Sequence, residues 1–254
     1  MIYGLYLSAT GVLTSSYRQD VIANNLANAQ TVGFKRALAQ FQQRPTEAQE
    51  SGDMQNTNPM LEGIGGGLFV APTGVDFTQG QIEATGNHLD VAIHGRGFFA
   101  VRKGEDTFLT RNGRFMLDRD GYLSLADERG HRVLDANGKS IQLGPVSQSR
   151  INIADDGSVT VDEQLVSRIA LLDVPDESQL VPAGGTLMNG AEVAKLKPAS
   201  STMHAGYLEE SNVDPMSELT QLIAAQRQLE ANANMIRYQD QTLSKLVNEV
   251  GKIG

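Results

Sequence analysis

The chain has no cysteine among its 254 residues. That removes disulfides, thiolate zinc sites and thiol nucleophiles at a stroke, and it is compatible with an oxidising compartment. Positive charge is also in short supply. The formal net charge is -9 and no basic patch stands out, so nucleic acid is not an expected partner. No run of about 18 apolar residues occurs, so no membrane insertion is expected. The N-terminus has no positive n-region, since the first basic residue is Arg18, and Gly4, Ser8, Thr10 and Gly11 break up its apolar run. The expectation is a cytoplasmic protein, or one that leaves by a route using no cleaved peptide.

Chemistry-bearing motifs are equally sparse. His88, His94, His131 and His204 are scattered, and none lies four residues from another on a helical pattern, so no metal site is expected. Asp118-Arg119-Asp120-Gly121 and Asp155-Asp156-Gly157 resemble the start of calcium loops but lack the later ligands and the terminal Glu. They fit hairpin turns better. The glycine run at Gly63 to Gly67 is followed by Phe69-Val70-Ala71 instead of Lys-Ser/Thr, which argues against a phosphate loop. Gly95-Arg96-Gly97 has no dinucleotide-binding context, and no Gly-x-Ser-x-Gly elbow appears. No cofactor, metal or catalytic residue is nominated.

What is present is pattern. Apolar residues make up 40% and charged residues 20%, a soluble globular balance with length for one large domain or two modest ones. From Asp214 to Val250, apolar positions step by three and four through Leu219, Leu222, Leu229, Ala233, Ile236, Leu243, Val247 and Val250. Gln226 and Asp240 occupy the two vacant slots of this a/d seam. Asp214 can cap the helix, Pro215 suits its first position, and Glu218 lies near the positive end of its dipole. A second helical pattern runs from Ile2 to about Ala29 through Leu5, Ala9, Val12, Ser16, Gln19, Ala23 and Leu26. Its small residues Ala9, Ser16 and Ala23 would admit a close neighbour, while Gly11 costs about 1 kcal/mol in a helix interior. The simplest inference pairs the two terminal helices. They form either a lid on a core or an oligomerisation element; polar Gln226 and Asp240 on the seam favour the second.

Between the helices the period changes. Residues 34–67 form a connector rich in Gln, Asn, Glu, Gly and Pro. From residue 68 to 208, short apolar runs such as Phe98-Phe99-Ala100-Val101 and Tyr122-Leu123-Ser124-Leu125 alternate with Asn112-Gly113, Asp120-Gly121, Asn137-Gly138 and Asp156-Gly157. Asn-Gly and Asp-Gly between such runs predict hairpins. The expected fold class is α+β: terminal helices (1–33 and 209–254) paired as a coiled coil, with an inserted all-β domain.

Several stretches carry a resemblance. Ala23-Asn24-Asn25-Leu26-Ala27-Asn28-Ala29-Gln30-Thr31-Val32-Gly33-Phe34-Lys35-Arg36 resembles the N-terminal signature of bacterial flagellar axial proteins of the rod and hook. Thr78 to Ile93, Gly95 to Val101, Thr110 to Phe115, Gly206 to Asp214 and Gln226 to Asn232 are similar to the same family in the same order. The basal-body rod proteins of the F and G types match best, and Met235 to Leu243 leans towards the F type. Leu229 stands where the family often has an aromatic, and Gln30 where it often has Asn. The resemblance implies a structural subunit exported unfolded by the flagellar type III apparatus. It would assemble helically with itself and other rod and hook subunits, meeting the export apparatus and a chaperone on the way. Its place would be the periplasm-spanning rod, where it transmits torque.

The expected assembly residues are Leu5, Ala9, Val12, Leu26, Leu219, Leu222, Gln226, Leu229, Ile236, Leu243 and Val247. Asn24, Asn25 and Asn28 either cap a helix end or hydrogen-bond a neighbouring subunit. Because the first helix is weak alone, the ends are expected to order on assembly. Two rival classes stay open. An enzyme would need an acid/base pair that no stretch nominates, and a β-domain adhesin or binding module would use the helices only to oligomerise.

Overall fold

The computed structural model describes residues 2–43, 67–127, 129–189, 197–199 and 201–250. Most of the connector and its glycine run, residues 44–66, lie outside the described residues. The chain divides into two compact units. One comprises residues 1–26, 37–74 and 214–254; the other comprises 27–36 and 75–213. The strand at Leu68–Val70 therefore belongs with the helices, whereas residues 27–36 belong with the β unit.

In the first unit, helix α1 spans Ile2–Ala27 and helix α2 spans Pro215–Val250. At about 1.5 Å per residue, α2 is roughly 54 Å long and α1 roughly 39 Å. Asp214 starts α2 as its composition suggests, its carboxylate accepting the Met216 N–H at 3.1 Å. A short antiparallel ribbon, Phe41–Gln43 with Leu68–Val70, completes this unit. Tyr17 packs edge-on against Phe41 at 6.1 Å, and the Arg18 guanidinium lies 5.2 Å from the same ring.

The β unit holds the apolar core. Its main sheet runs, in spatial order, Pro182–Gly184, Leu187–Asn189, Asp106–Thr110, Phe98–Lys103, Arg132–Val133, Leu123–Leu125 and Phe115–Leu117. The central strand Phe98–Lys103 is apolar at successive positions because both of its faces are covered. Phe99 and Val101 enter one cluster with Val91, Phe115, Leu123 and Ile153, while Phe98 and Ala100 enter another with Leu109, Leu134 and Met188. A three-stranded meander follows, Ile151–Ile153, Ser158–Val161 and Gln164–Arg168. The outgoing chain then pairs twice with the incoming one, Thr202–Ala205 with Val91–His94 and Tyr207–Glu209 with Ile82–Ala84.

Two turn expectations need comment. Asn112-Gly113 does not join a hairpin: Asp106–Thr110 and Phe115–Leu117 each pair with other strands. Glycine is required there because a Cβ on Gly113 would lie 1.7 Å from the Val91 carbonyl oxygen, a steric reason that a turn signal does not distinguish. Conversely, the tight turn at Asp162-Glu163 contains no glycine although both residues have positive φ, 51° and 66°. Arg150 holds it, donating to both carboxylate oxygens of Asp162.

Candidate functional site

Three contacts between the terminal helices set their direction. Asn25 Nδ2 donates to Glu218 Oε2 at 3.3 Å. The side chain of Asn232 lies over Gly11, and that of Gln239 over Gly4. Positions rise along α1 as they fall along α2, so the helices run antiparallel. Asn25 and Glu218 are both 1% exposed. Asn25 also exchanges two hydrogen bonds with the backbone of Ala37, 2.9 Å to its carbonyl and 2.8 Å from its N–H. One asparagine thus fastens α1 to α2 and to the segment that follows α1.

Within one subunit, the contact line follows only part of either apolar stripe. The covered positions of α2 are Glu218, Leu222, Ala225, Leu229, Asn232, Ala233, Ile236, Gln239 and Leu243. Leu222, Leu229, Ile236 and Leu243 are half-buried on this line. Of the alternate positions, Ala233 is half-buried and the others are exposed. Leu219 is 42% exposed, Asp240 is exposed, and Gln226 is exposed and bonds Glu230 on the outer face. Val247 is 70% exposed because residues opposite it would lie beyond the start of α1. On α1 the covered line is Gly4, Ser8, Gly11, Ser15, Ile22 and Asn25. Leu5, Ala9, Val12 and Leu26 are half-buried, as Gly4 and Gly11 on that line are, and Val21 beside Ile22 is buried. The physical reason is that α1 offers its partner glycine and serine, and long polar side chains fill the space above them. A count of apolar residues cannot see such packing, and Gly11, read as a defect, is the place where Asn232 sits. Asn24 is exposed; Asn28 closes a turn, its carbonyl accepting the Thr31 N–H at 3.0 Å.

Turned away from α1, α2 exposes Met216, Leu219, Ile223 and Tyr238. Met235, Leu246 and Val247 are exposed as well. The ribbon adds Leu68, Phe69 and Val70, all exposed. Exposed Arg227, Glu230, Asn234 and Arg237 are interspersed with them along α2.

A second constellation lies wholly inside the β unit and was not nominated from sequence. Lys35 Nζ donates to Glu209 Oε1 at 2.5 Å and to the Thr78 carbonyl at 2.7 Å. Arg111 Nη1 donates to the other oxygen of Glu209 at 3.3 Å, and the Gly80 N–H reaches Oε1 at 3.1 Å. The side chains of Lys35, Arg111 and Glu209 are 1%, 3% and 0% exposed. Burial pushes the Lys35 pKa below the ordinary lysine range, against the opposing pull of Glu209. The Arg111 guanidinium packs 5.1 Å from the Phe98 ring. Asn212 reinforces the staple, accepting the Arg36 N–H at 2.8 Å and donating to the Asp76 carbonyl at 2.8 Å. Glu209 and Asn212 therefore bind the outgoing chain to the incoming one. Lys35, Arg111, Glu209 and Asn212 all lie within the stretches that carry the resemblance, which was the available signal.

A cleft of about 380 Å³ is lined by Thr31, Asn112, Arg114, Arg129 and Thr186, and its carboxylate Asp127 is held 2.5 Å from His131. No cluster of metal-ligating side chains occurs among the described residues. Likewise, no helix among them is long and apolar enough to cross a membrane. Helical ends bracketing a stapled β unit, with apolar side chains exposed on the helical unit, are features of a structural protein.

The comparisons agree with that class. Three family models match in chain order. The flagella basal body rod protein model matches residues 5–35, the flagellar hook protein FlgE/F/G D1 domain residues 92–161, and the flagellar basal body rod FlgEFG protein C-terminal model residues 204–249. The flagellar basal-body rod protein FlgF of Caulobacter vibrioides is 34% identical, the match covering 98% of each chain. FlgG of Bacillus subtilis is 31% identical over 98% of this chain and 99% of its own. The chain belongs to the flagellar basal-body rod protein family, a structural family and not an enzyme family.

Proposed function

We propose that this protein is an axial subunit of the bacterial flagellar rod. It polymerises head to tail with copies of itself and with other rod and hook subunits, and it transmits torque from motor to hook. Helices α1 and α2 pair as an inner coiled coil, and the β unit forms the outer layer. The chain reaches the rod across the periplasm through type III export. The observation that supports this most is the exposed apolar line Met216, Leu219, Ile223 and Tyr238, opposite the face that α1 covers. A fully covered Leu or Ile contributes about 1.5–3 kcal/mol, so neighbours that cover this line gain affinity without disturbing the subunit. A non-closing rotation between such neighbours gives a filament.

Among its described residues, the helical unit buries few apolar side chains, Val21, Ile22 and Ala225. It is therefore marginal until neighbours pack on it. The test is Leu219→Asp with Ile223→Asp. Cells carrying this protein should lack rods and fail to swim, while urea unfolding of the β unit stays as in the wild type. Normal rods in such cells overturn the reading. Limited proteolysis of the purified subunit checks the marginal helices: they should be cut before the β unit is.

A further inference from the structure

We propose that Glu218, Asn232 and Gln239 on α2, with Asn25, Gly11 and Gly4 on α1, are a register ladder that selects one stagger of the two helices. This rests on the coiled-coil reading above and adds what fixes its alignment. From Gly4 to Gly11 is a step of seven residues, matched in reverse from Gln239 to Asn232. Asn25 and Glu218 lie a further fourteen along each helix, so all three contacts share one alignment.

The apolar layers cannot supply that alignment. Leu222, Leu229, Ile236 and Leu243 repeat every seven residues, so a slip of one heptad exchanges one aliphatic layer for another. The intervening line does not repeat. It reads Glu218, Ala225, Asn232 and Gln239 on α2, against Asn25, Arg18, Gly11 and Gly4 on α1. Slipping one way sets Asn232 against Arg18 and takes Glu218 away from Asn25. Slipping the other way sends Gln239 past the start of α1 and turns Asn25 towards Ser211, before α2 begins. Each direction separates Asn25 from Glu218, both buried, and takes at least one amide off its glycine, so each disturbs polar contacts that the apolar layers do not restore.

The glycines add a steric filter. A Cβ on Gly11 would stand 2.8 Å from Asn232 Nδ2, and one on Gly4 would stand 2.9 Å from Gln239 Nε2. Each amide has room only above a glycine. Gln239 Oε1 is buried without a hydrogen-bond partner, so shape rather than hydrogen bonding seats that oxygen.

The absence of native cysteine makes the test clean. In the purified full-length protein, Gly11→Cys with Asn232→Cys places two thiols in register, at Cβ separations suited to a disulfide. Gly11→Cys with Gln239→Cys is one heptad out. Mild oxidation should close the first pair within single chains and leave the second open. A third pair, Gly4→Cys with Gln239→Cys, reports the effect of substitutions elsewhere. Its closure should be lost in Gly11→Asn and restored when Asn232→Gly is added. Equal closure of the in-register and out-of-register pairs, or no rescue by the exchange, overturns the ladder while leaving the helices paired. No closure of any pair overturns the pairing itself.

Discussion

Lys35 and Glu209 are 174 residues apart in sequence and 2.5 Å apart in the fold, both sealed from solvent. One lies on the chain as it comes into the β unit and the other on the chain as it goes out. Glu209 also balances Arg111, so a single carboxylate compensates two buried cations. Removing it leaves both uncompensated. Glu209→Ala should destabilise the β unit by about 3–5 kcal/mol, read as a lowered urea midpoint. Lys35→Met should cost less, because Arg111 still faces Glu209. Equal midpoints for wild type and Glu209→Ala would show that the staple contributes nothing.

The same pair sets a pH dependence. Burial, the largest influence on Lys35, lowers its folded pKa below the unfolded value of 10.5. Between the two, the unfolded chain holds the proton more tightly than the folded one, so unfolding takes up a proton and stability rises with pH. Wild type should therefore gain stability relative to Lys35→Met as pH climbs through the alkaline range towards 10.5. A relative loss over that interval contradicts the assignment. Urea titrations of both proteins, taken as a difference, cancel the effects of the other titrating groups.

Gly33 and Gly86 separate backbone conformation from crowding. Their φ angles are 69° and 71°, but a Cβ on Gly33 would meet Asn112 N at 2.4 Å whereas one on Gly86 meets nothing within 4 Å. Gly86→Ala should cost only the left-handed penalty, about 1–2 kcal/mol. Gly33→Ala should cost clearly more, since the loop bearing Lys35 must move away from Arg111 and Asn112. Thermal unfolding of the two variants makes the comparison.

At Glu163 the direction reverses. This residue holds φ 66° with a side chain that disfavours it. Glu163→Gly should stabilise the β unit by about 0.5–1 kcal/mol, the relief of strain less the entropy of an added glycine. A lower melting temperature would show that the side chain makes a compensating contact.

Much of the architecture was legible in the residues. Both terminal helices, the start of α2 at Asp214 and the hairpin at Asp120-Gly121 follow from local periodicity, capping and turn chemistry, which act over a few residues. The contact between the helices was legible only in part. Leu222, Leu229, Ile236 and Leu243 are half-buried on the line that meets α1, whereas Leu219, Gln226 and Val247 are exposed. Apolar spacing shows which residues avoid water in some context, without saying whether a partner within the chain or a neighbour covers them. The staple was invisible to pattern because Lys35, Arg111 and Glu209 come from remote stretches.

The sequence by itself determined that helices bracket a β unit, because side-chain period and turn residues act locally, and it determined the family through motifs kept in order along the chain. Tertiary structure alone decided which face of α2 meets α1 and which carboxylate holds Lys35. Those outcomes depend on the volume above Gly4 and Gly11 and on charge balance in a closed space, and neither exists until distant segments have come together.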